Sequence, residues 1–208
     1  MTYNSLVAQI LDYLDRTDDA TIAEVPNFIY QAEQRISREV KNIGVEVYVA
    51  GSFTIGQNVL TRPARWRKSI SFNYGSGINN NFRNQLFLRT YEYVRDYWPD
   101  DSQLAAPKFY ADYGYDHIIF SPTPDQAYPF EYAYLELPQP LGPTVSTNWI
   151  TDNAPDLLLY GSLLEAIPYL KIDERAPLWQ SFYDRSLGSL KVQDEQRYVD
   201  RASQRESD

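Results

Sequence analysis

The sequence predicts an α+β protein: a helical bundle formed by N- and C-terminal helix pairs, with an inserted antiparallel β-sandwich or barrel-like region. Three observations carry this reading. Apolar residues recur at three-to-four spacing near both ends of the chain. Between Val45 and Leu137 the period changes to two, and turn signals cut that stretch into about seven short strands. Neither helical pair can bury its stripe alone, so the economical solution packs one pair against the other while the β region projects. The expected division is residues 1–43 and 151–192 for the bundle, 44–150 for the insertion and 193–208 for a polar C-terminal tail.

Helix one is expected over Asn4–Arg16, with Leu6, Val7, Ile10, Leu11 and Leu14 on one stripe. Thr2 or Asn4 caps it, because a side-chain oxygen there accepts from an open backbone N–H. After the link "TDDA", the run "TIAE" from Thr21 to Glu24 matches a capping box. Pro26 then falls in a first turn, where its missing N–H breaks no bond. Val25, Ile29, Ala32, Ile36 and Val40 carry helix two roughly to Lys41, and it ends before Gly44. The link is short, so the two helices are antiparallel neighbours.

In the β region, "VEVYVAGSFTI" and "NVLTRP" flank "GQ" as a hairpin-like pair. "RKSISFNYG" and "FRNQLFLRTY" flank "SGINNN", a turn able to take positive φ. "TYEYVRDYWP" is a short helix capped by Thr90 and ended by Pro99. "KFYADYG" and "YDHIIFS" divide at Gly114, and "YPFEYAYLEL" closes the set. In that last strand Tyr128, Phe130, Tyr132 and Tyr134 share one face, while Ala133, Leu135 and Leu137 fall on the other. Two apolar faces mean a strand covered on both sides.

A proline-rich exit leads to a helix capped by Asn153 or Thr151, with Pro155 in its first turn and Leu157, Leu158, Leu164 and Ile167 on its apolar face. Pro168 kinks or ends it. A fourth helix starts with Pro177 at N1 and buries Leu178, Phe182, Leu187 and Leu190. From Gln193 the chain is charged and glutamine-rich, and alone it frays or is disordered.

Composition narrows the function. The 208 residues contain no cysteine, so disulfides, thiolate metal sites and cysteine nucleophiles are excluded. No apolar run reaches the ~20 residues of a membrane helix, and the acid-bearing N-terminus is not a signal peptide. These features predict a soluble protein made in a cytoplasm. The net charge is −9 and the pI about 4.7. Such a body repels nucleic acid in general, because binding rests on neutralising phosphates. The charge is uneven: residues 1–40 carry −4, 41–98 carry +5, 99–140 carry −6 and 141–208 carry −4. Arg62, Arg65, Arg67 and Lys68 in "TRPARWRK" form a basic cluster. It reads either as a solvated rim near a turn or as a contact to an acidic neighbour, such as another copy of the chain.

The residues of an active site are missing. His117 is the single histidine and sits in an alternating strand, which makes it structural. There is no glycine-rich phosphate cradle. "DRTDDATI" fails as a calcium loop, with Ala20 at the glycine position and Pro26 at the bidentate glutamate position. Asp100 and Asp101 are adjacent, and nothing marks them as a catalytic pair. No catalytic, cofactor or metal site is expected. The 18 tyrosines and four tryptophans leave three readings open: protein interface, sugar-binding face and stacking platform for bases. Net acidity weighs against the bases. A carbohydrate- or receptor-binding β module on a helical base is the alternative to an interface protein, and a glycan hydrolase with a carboxylate pair in one cleft is a third possibility.

The order of motifs resembles the head-to-tail adaptor proteins of tailed bacteriophages, akin to the tail tubular protein A or gatekeeper family of short-tailed phages. The resemblance lies in "MTYNSLVAQILDYLDR", "ATIAEVPNFIYQAEQRISREV", "PKFYADYG…IIFSPTPDQAYPFEYAYLELPQPL" and "TNWITDNAPDLLLYGSLLEA". It spans nearly the whole chain in order. What it implies is a non-enzymatic virion protein, a homododecameric ring between the portal protein and the tail nozzle. Genome DNA passes through that ring without specific binding, and in some relatives tail fibres dock on it. Under this resemblance Arg197, Tyr198, Val199 and Arg201 of the tail are candidate portal contacts, and the basic cluster is a candidate subunit contact.

Overall fold

The computed structural model describes residues 1–40, 44–76, 81–171 and 174–206; at 76, 81–83 and 194–206 it describes the backbone alone. Helices lie at both ends of the chain and seven strands lie between them. The chain forms two compact units, one of residues 1–44 and 138–208, the other of residues 45–137.

In the helical unit, α1 spans Tyr3–Leu14 and buries Tyr3, Leu6, Ile10 and Leu14. Thr2 and Ser5 cap each other: the Ser5 N–H donates to Thr2 Oγ1 at 3.3 Å, and the Thr2 N–H to Ser5 Oγ at 2.9 Å. Helix α2 spans Asp19–Glu39 and is capped by Asp18, whose Oδ2 accepts from the N–H and hydroxyl of Thr21 at 2.9 and 2.7 Å. Thr21 is therefore the third residue of the helix and not its cap. Pro26 lies well inside it, a correction to the expected start. An ionised aspartate at a helix N-terminus out-competes the threonine three positions later. Pro26 and Ile22, whose carbonyl loses its partner, are both exposed, so water reaches that oxygen.

Helix α4, Trp149–Asn153, and helix α5, Pro155–Leu170, replace the single expected helix. Asn148 caps α4, and Pro155 starts α5 without a side-chain cap, so neither Thr151 nor Asn153 caps the long helix. Pro168 precedes the end of α5 by one turn or less, as expected. Helix α5 buries Leu157, Leu158, Leu159, Leu163 and Leu164 and packs against α1, α2, α4 and α6. Gly161 makes the approach possible: a Cβ there would meet Ala32 Cβ and Tyr183 Cε2, each at 3.3 Å. Helix α6 runs over Ala176–Glu206 and buries Trp179, Tyr183 and Leu190. Leu178 is exposed, and Phe182 and Leu187 are half-buried, so the inward face is turned by about one residue from the expected one. Pro177 is the second residue of α6, and the two larger rings take the interior places. Nor is the stretch after Gln193 frayed: α6 continues through it to Glu206. After Gly188 it holds no Gly or Pro and is rich in Gln, Glu and Arg, all good helix formers.

Ile29→Ala and Leu158→Ala, at 1% and 0% exposure, are each expected to cost on the order of 2–5 kcal/mol. Half-buried Leu11 should cost less. Denaturant unfolding of the three variants checks this ordering.

The other unit holds β1 (Val45–Ser52), β2 (Val59–Thr61), β3 (Trp66–Ser76), β4 (Asn81–Leu88), α3 (Tyr91–Tyr97), β5 (Phe109–Tyr113), β6 (His117–Ser121) and β7 (Pro129–Glu136). The strands form one sheet in the order β1-β7-β3-β4-β5-β6-β2. The expected β3–β4 and β5–β6 hairpins are present, the second turning at Gly114 with φ 66°. The turn residues Gly77–Asn80 lie outside the described residues. The expected β1–β2 hairpin does not form. β1 pairs with β7 and β2 with β6, at opposite ends of the sheet. Yet the link 53–58 spans at most about 25 Å, while seven flat strands would set their edges about 29 Å apart. The sheet must therefore curl. Register skips at Arg67 and Ile70 in β3 add the local bend that bulges supply. The pairing is also mixed: β4 and β5 are parallel, because α3 serves as the crossover between them.

Curling turns one face of every strand inward. Phe53, Phe72, Tyr74, Leu86, Tyr110, Ile118, Phe120, Phe130, Tyr132 and Tyr134 fill the interior, with Val47, Val49 and Leu60 packed on them. On the outer face α3 lays Val94 on Ala111 and Ile119. Ala133 and Leu135 on the other face of β7 are also buried.

Candidate functional site

The aromatic stretch around β5–β7 is a wall with a lined interior. Phe53, Phe72, Phe120 and Phe130 pack with ring centroids 4.9–5.9 Å apart. At one end the rings carry a polar network. Trp66 Nε1 donates to Tyr132 Oη at 2.7 Å, and Ser69 Oγ lies 2.7 Å from the same hydroxyl. Tyr110 also meets Ser69, and burial raises both Tyr132 and Tyr110 above the ordinary phenol value, Tyr110 to about 12, so these hydroxyls stay protonated at any physiological pH. They are structural donors and acceptors, not bases. His117 sits exposed at the start of β6, opposite Tyr113 on one side and Thr61 on the other. Among the described residues no group of three or more His, Asp or Glu could hold a metal ion, and no helix is long and apolar enough to cross a membrane.

The basic cluster is spread over the β2–β3 connection and the start of β3. Arg62 is folded inward: its guanidinium lies 3.9 Å from the Trp66 ring, donates to the Tyr115 carbonyl at 2.9 Å and pairs with Asp112. Arg65, held at φ 56°, pairs with Glu136 at 2.9 Å. Arg67 occupies the first register skip of β3 and Lys68 follows it, exposed. So Arg62 and Arg65 are each paired with a carboxylate of their own unit. Arg197, Tyr198, Val199 and Arg201 all lie on the last part of α6, and their side chains are outside the described residues.

Two arrangements were not anticipated. One is a buried polar hub in the helical unit. Glu33, 4% exposed, accepts from the Leu141 N–H at 3.2 Å and from Asn148 Nδ2 at 2.6 Å. Asn148 also donates to the Gln139 carbonyl at 2.9 Å, while its Oδ1 caps α4 through the N–H groups of Ile150 and Thr151. One carboxyl thus fastens the returning segment 138–148 to α2. Burial raises that carboxyl to about 7, against the lowering effect of its two hydrogen bonds. A signal existed: Glu33 falls four residues after Ile29 and three before Ile36, on the apolar stripe.

The other is an exposed aromatic face around α3. Val94 is the one buried residue of that helix, and Tyr91, Tyr93 and Tyr97 remain 38–43% exposed. Phe87 and Leu88, at the end of β4, are about half exposed. Arg89 lies among these rings. The sequence signal was the density of Tyr and Arg in "RTYEYVRDYW", which the helical reading of that stretch absorbed.

Comparison with protein families matches the chain, over residues 1–206, to the family described as SU10 adaptor protein. No curated protein matches it.

Proposed function

The chain belongs to the SU10 adaptor protein family, structural adaptors of bacteriophage particles, and from that premise we propose that it is the ring that joins the portal protein to the tail nozzle. The family match over nearly the full chain is the observation that carries this reading. In this reading the ring is a homo-oligomer, a dodecamer as the resemblance of its motifs to head-to-tail adaptors implies, and serves in the virion without enzymatic activity. DNA passes through it on ejection, and a body of net charge −9 suits a conduit that must not hold phosphates. Of the basic cluster, Arg65, Arg67 and Lys68 are assigned to subunit contact, while Arg62 is folded inward on Trp66 and Asp112; tail fibres are further candidate partners.

The portal contact is assigned to the end of α6. Beyond Leu190, the last buried residue described, the helix extends about 24 Å. A polar helix of that length gains little by itself and is well placed to lay Tyr198 and Val199 into a partner, with Arg197 and Arg201 beside acids. Deleting Gln193–Asp208 is therefore expected to leave the melting temperature within a few degrees of the full chain and to weaken capture by the portal protein at least about tenfold. Full-strength capture by the truncated protein would exclude this assignment.

A further inference from the structure

We infer that the aromatic face around α3 is a contact between copies of this chain, and that it receives the acidic turn between α1 and α2 of the next copy. The inference rests on the ring reading and gives that ring one of its surfaces.

The face is built in advance. Tyr91 stacks on Tyr113 at 5.8 Å, Tyr93 on Tyr97 at 6.2 Å, and Phe109 stands edge-on to Tyr93 at 5.3 Å. Rings that hold one another lose little freedom when a partner covers them. Phe87, Tyr93 and Tyr97, gathered with Phe109 and Arg89 on the α3 side of the sheet, have the composition of an interface centre. In their midst Arg89 lies 5.6–5.9 Å from the Phe87, Tyr93 and Phe109 rings and donates to the Leu88 carbonyl at 3.1 Å. None of these partners is a carboxylate, whereas neighbouring Arg62 and Arg95 are paired with Asp112 and Asp101. Arg89 also lines an open cavity of about 500 Å³ with Leu88, Thr90, Tyr91 and Asp112. The face therefore fits a partner that brings apolar contact and a carboxylate together.

The chain carries such a surface. At the α1–α2 turn Asp12, Asp15 and Asp19 are exposed beside Tyr13 and Ile22, which are 42% and 41% exposed, with Arg16 as a cation in that run. A contact between two different surfaces of one chain is head-to-tail, the kind that closes rings when its rotation allows.

Charge exchange tests the pairing. Arg89 is exposed, and an arginine at Asp12 near the C-terminal end of α1 favours the helix, so neither substitution threatens the fold. Self-association of the full-length protein is measured by sedimentation velocity up to the highest soluble concentration, with circular dichroism as a folding control. Arg89→Glu and Asp12→Arg are each expected to weaken association at least about tenfold, and the double variant to recover most of it. Wild-type protein that stays monomeric, or Arg89→Glu that associates normally, overturns the inference. So does loss with Arg89→Glu that Asp12→Arg neither reproduces nor rescues, even with Asp15→Lys and Asp19→Lys added. Portal capture of the same variants is scored separately: capture by a chain that fails this test leaves the adaptor reading standing.

Discussion

Phe72→Ala is expected to destabilise the sheet unit by about 3–5 kcal/mol, the largest single loss available in that part of the chain. Phe72 is fully buried at the centre of the curled sheet, with the rings of Phe53, Phe120, Phe130, Tyr110 and Tyr132 at 4.8–5.9 Å. These rings come from β5, β6, β7 and the link after β1, so the interior is closed around this one side chain. Removing it leaves a cavity that stacked aromatics cannot collapse into without breaking their own geometry. Phe72→Leu keeps most of the volume and should cost far less. Urea unfolding followed by tryptophan fluorescence separates the two. Equal, small losses for Ala and Leu would mean the interior is not the packed core described above.

The same residue illustrates what the sequence could and could not reveal. Alternation put Phe130, Tyr132 and Tyr134 on one face of the last strand, and all three point inward beside Phe72. Alternation carries parity but not partnership. It placed β1 and β2 together because they follow each other, yet their hydrogen bonds go to β7 and β6. Those partners are fixed by closure of the whole sheet, a long-range condition that no local window contains. Local chemistry was more reliable where it acts alone: Thr2 and Thr90 cap α1 and α3 as their positions suggested. It failed at Thr21, where two possible caps compete and the stronger acceptor, Asp18, won. At α6 the stripe of Leu178 and Phe182 was as good a helical pattern as Trp179 and Tyr183. What decides between them is Arg35, stacked 4.6 Å over the Tyr183 ring, and Glu39, which accepts from the Tyr183 hydroxyl at 2.8 Å. Both come from α2, far away in sequence. The tail of α6 was read as disordered from its polarity, although helix propensity in the same residues pointed the other way.

Glu33 is expected to make the stability of the helical unit fall as pH rises from about 4.5 to above 7. Its carboxyl is raised from 4.5 in the unfolded chain to about 7 in the fold, with burial as the main cause. Its partners are neutral, the Leu141 N–H and the Asn148 amide, and they offset only part of the cost of burying charge. Below pH 4.5 the group is protonated in both states and costs nothing. Between 4.5 and 7 the folded chain holds the proton that the unfolded chain releases, so each step up in pH favours unfolding. Through that window the loss is on the order of 3 kcal/mol, after which it is constant. Glu33→Gln keeps one oxygen at the place of Oε1, which accepts from both the Leu141 N–H and the Asn148 amide, and it cannot ionise, so it lacks this slope. The informative quantity is the stability of Glu33→Gln minus that of the wild type at each pH, because all other titrating groups cancel. Gln should be level with or slightly below the wild type at pH 4.5, and should gain on it steadily until about pH 8. A difference that stays flat across the window would show that Glu33 ionises normally in the fold. That would mean solvent reaches the carboxyl that fastens segment 138–148 to α2.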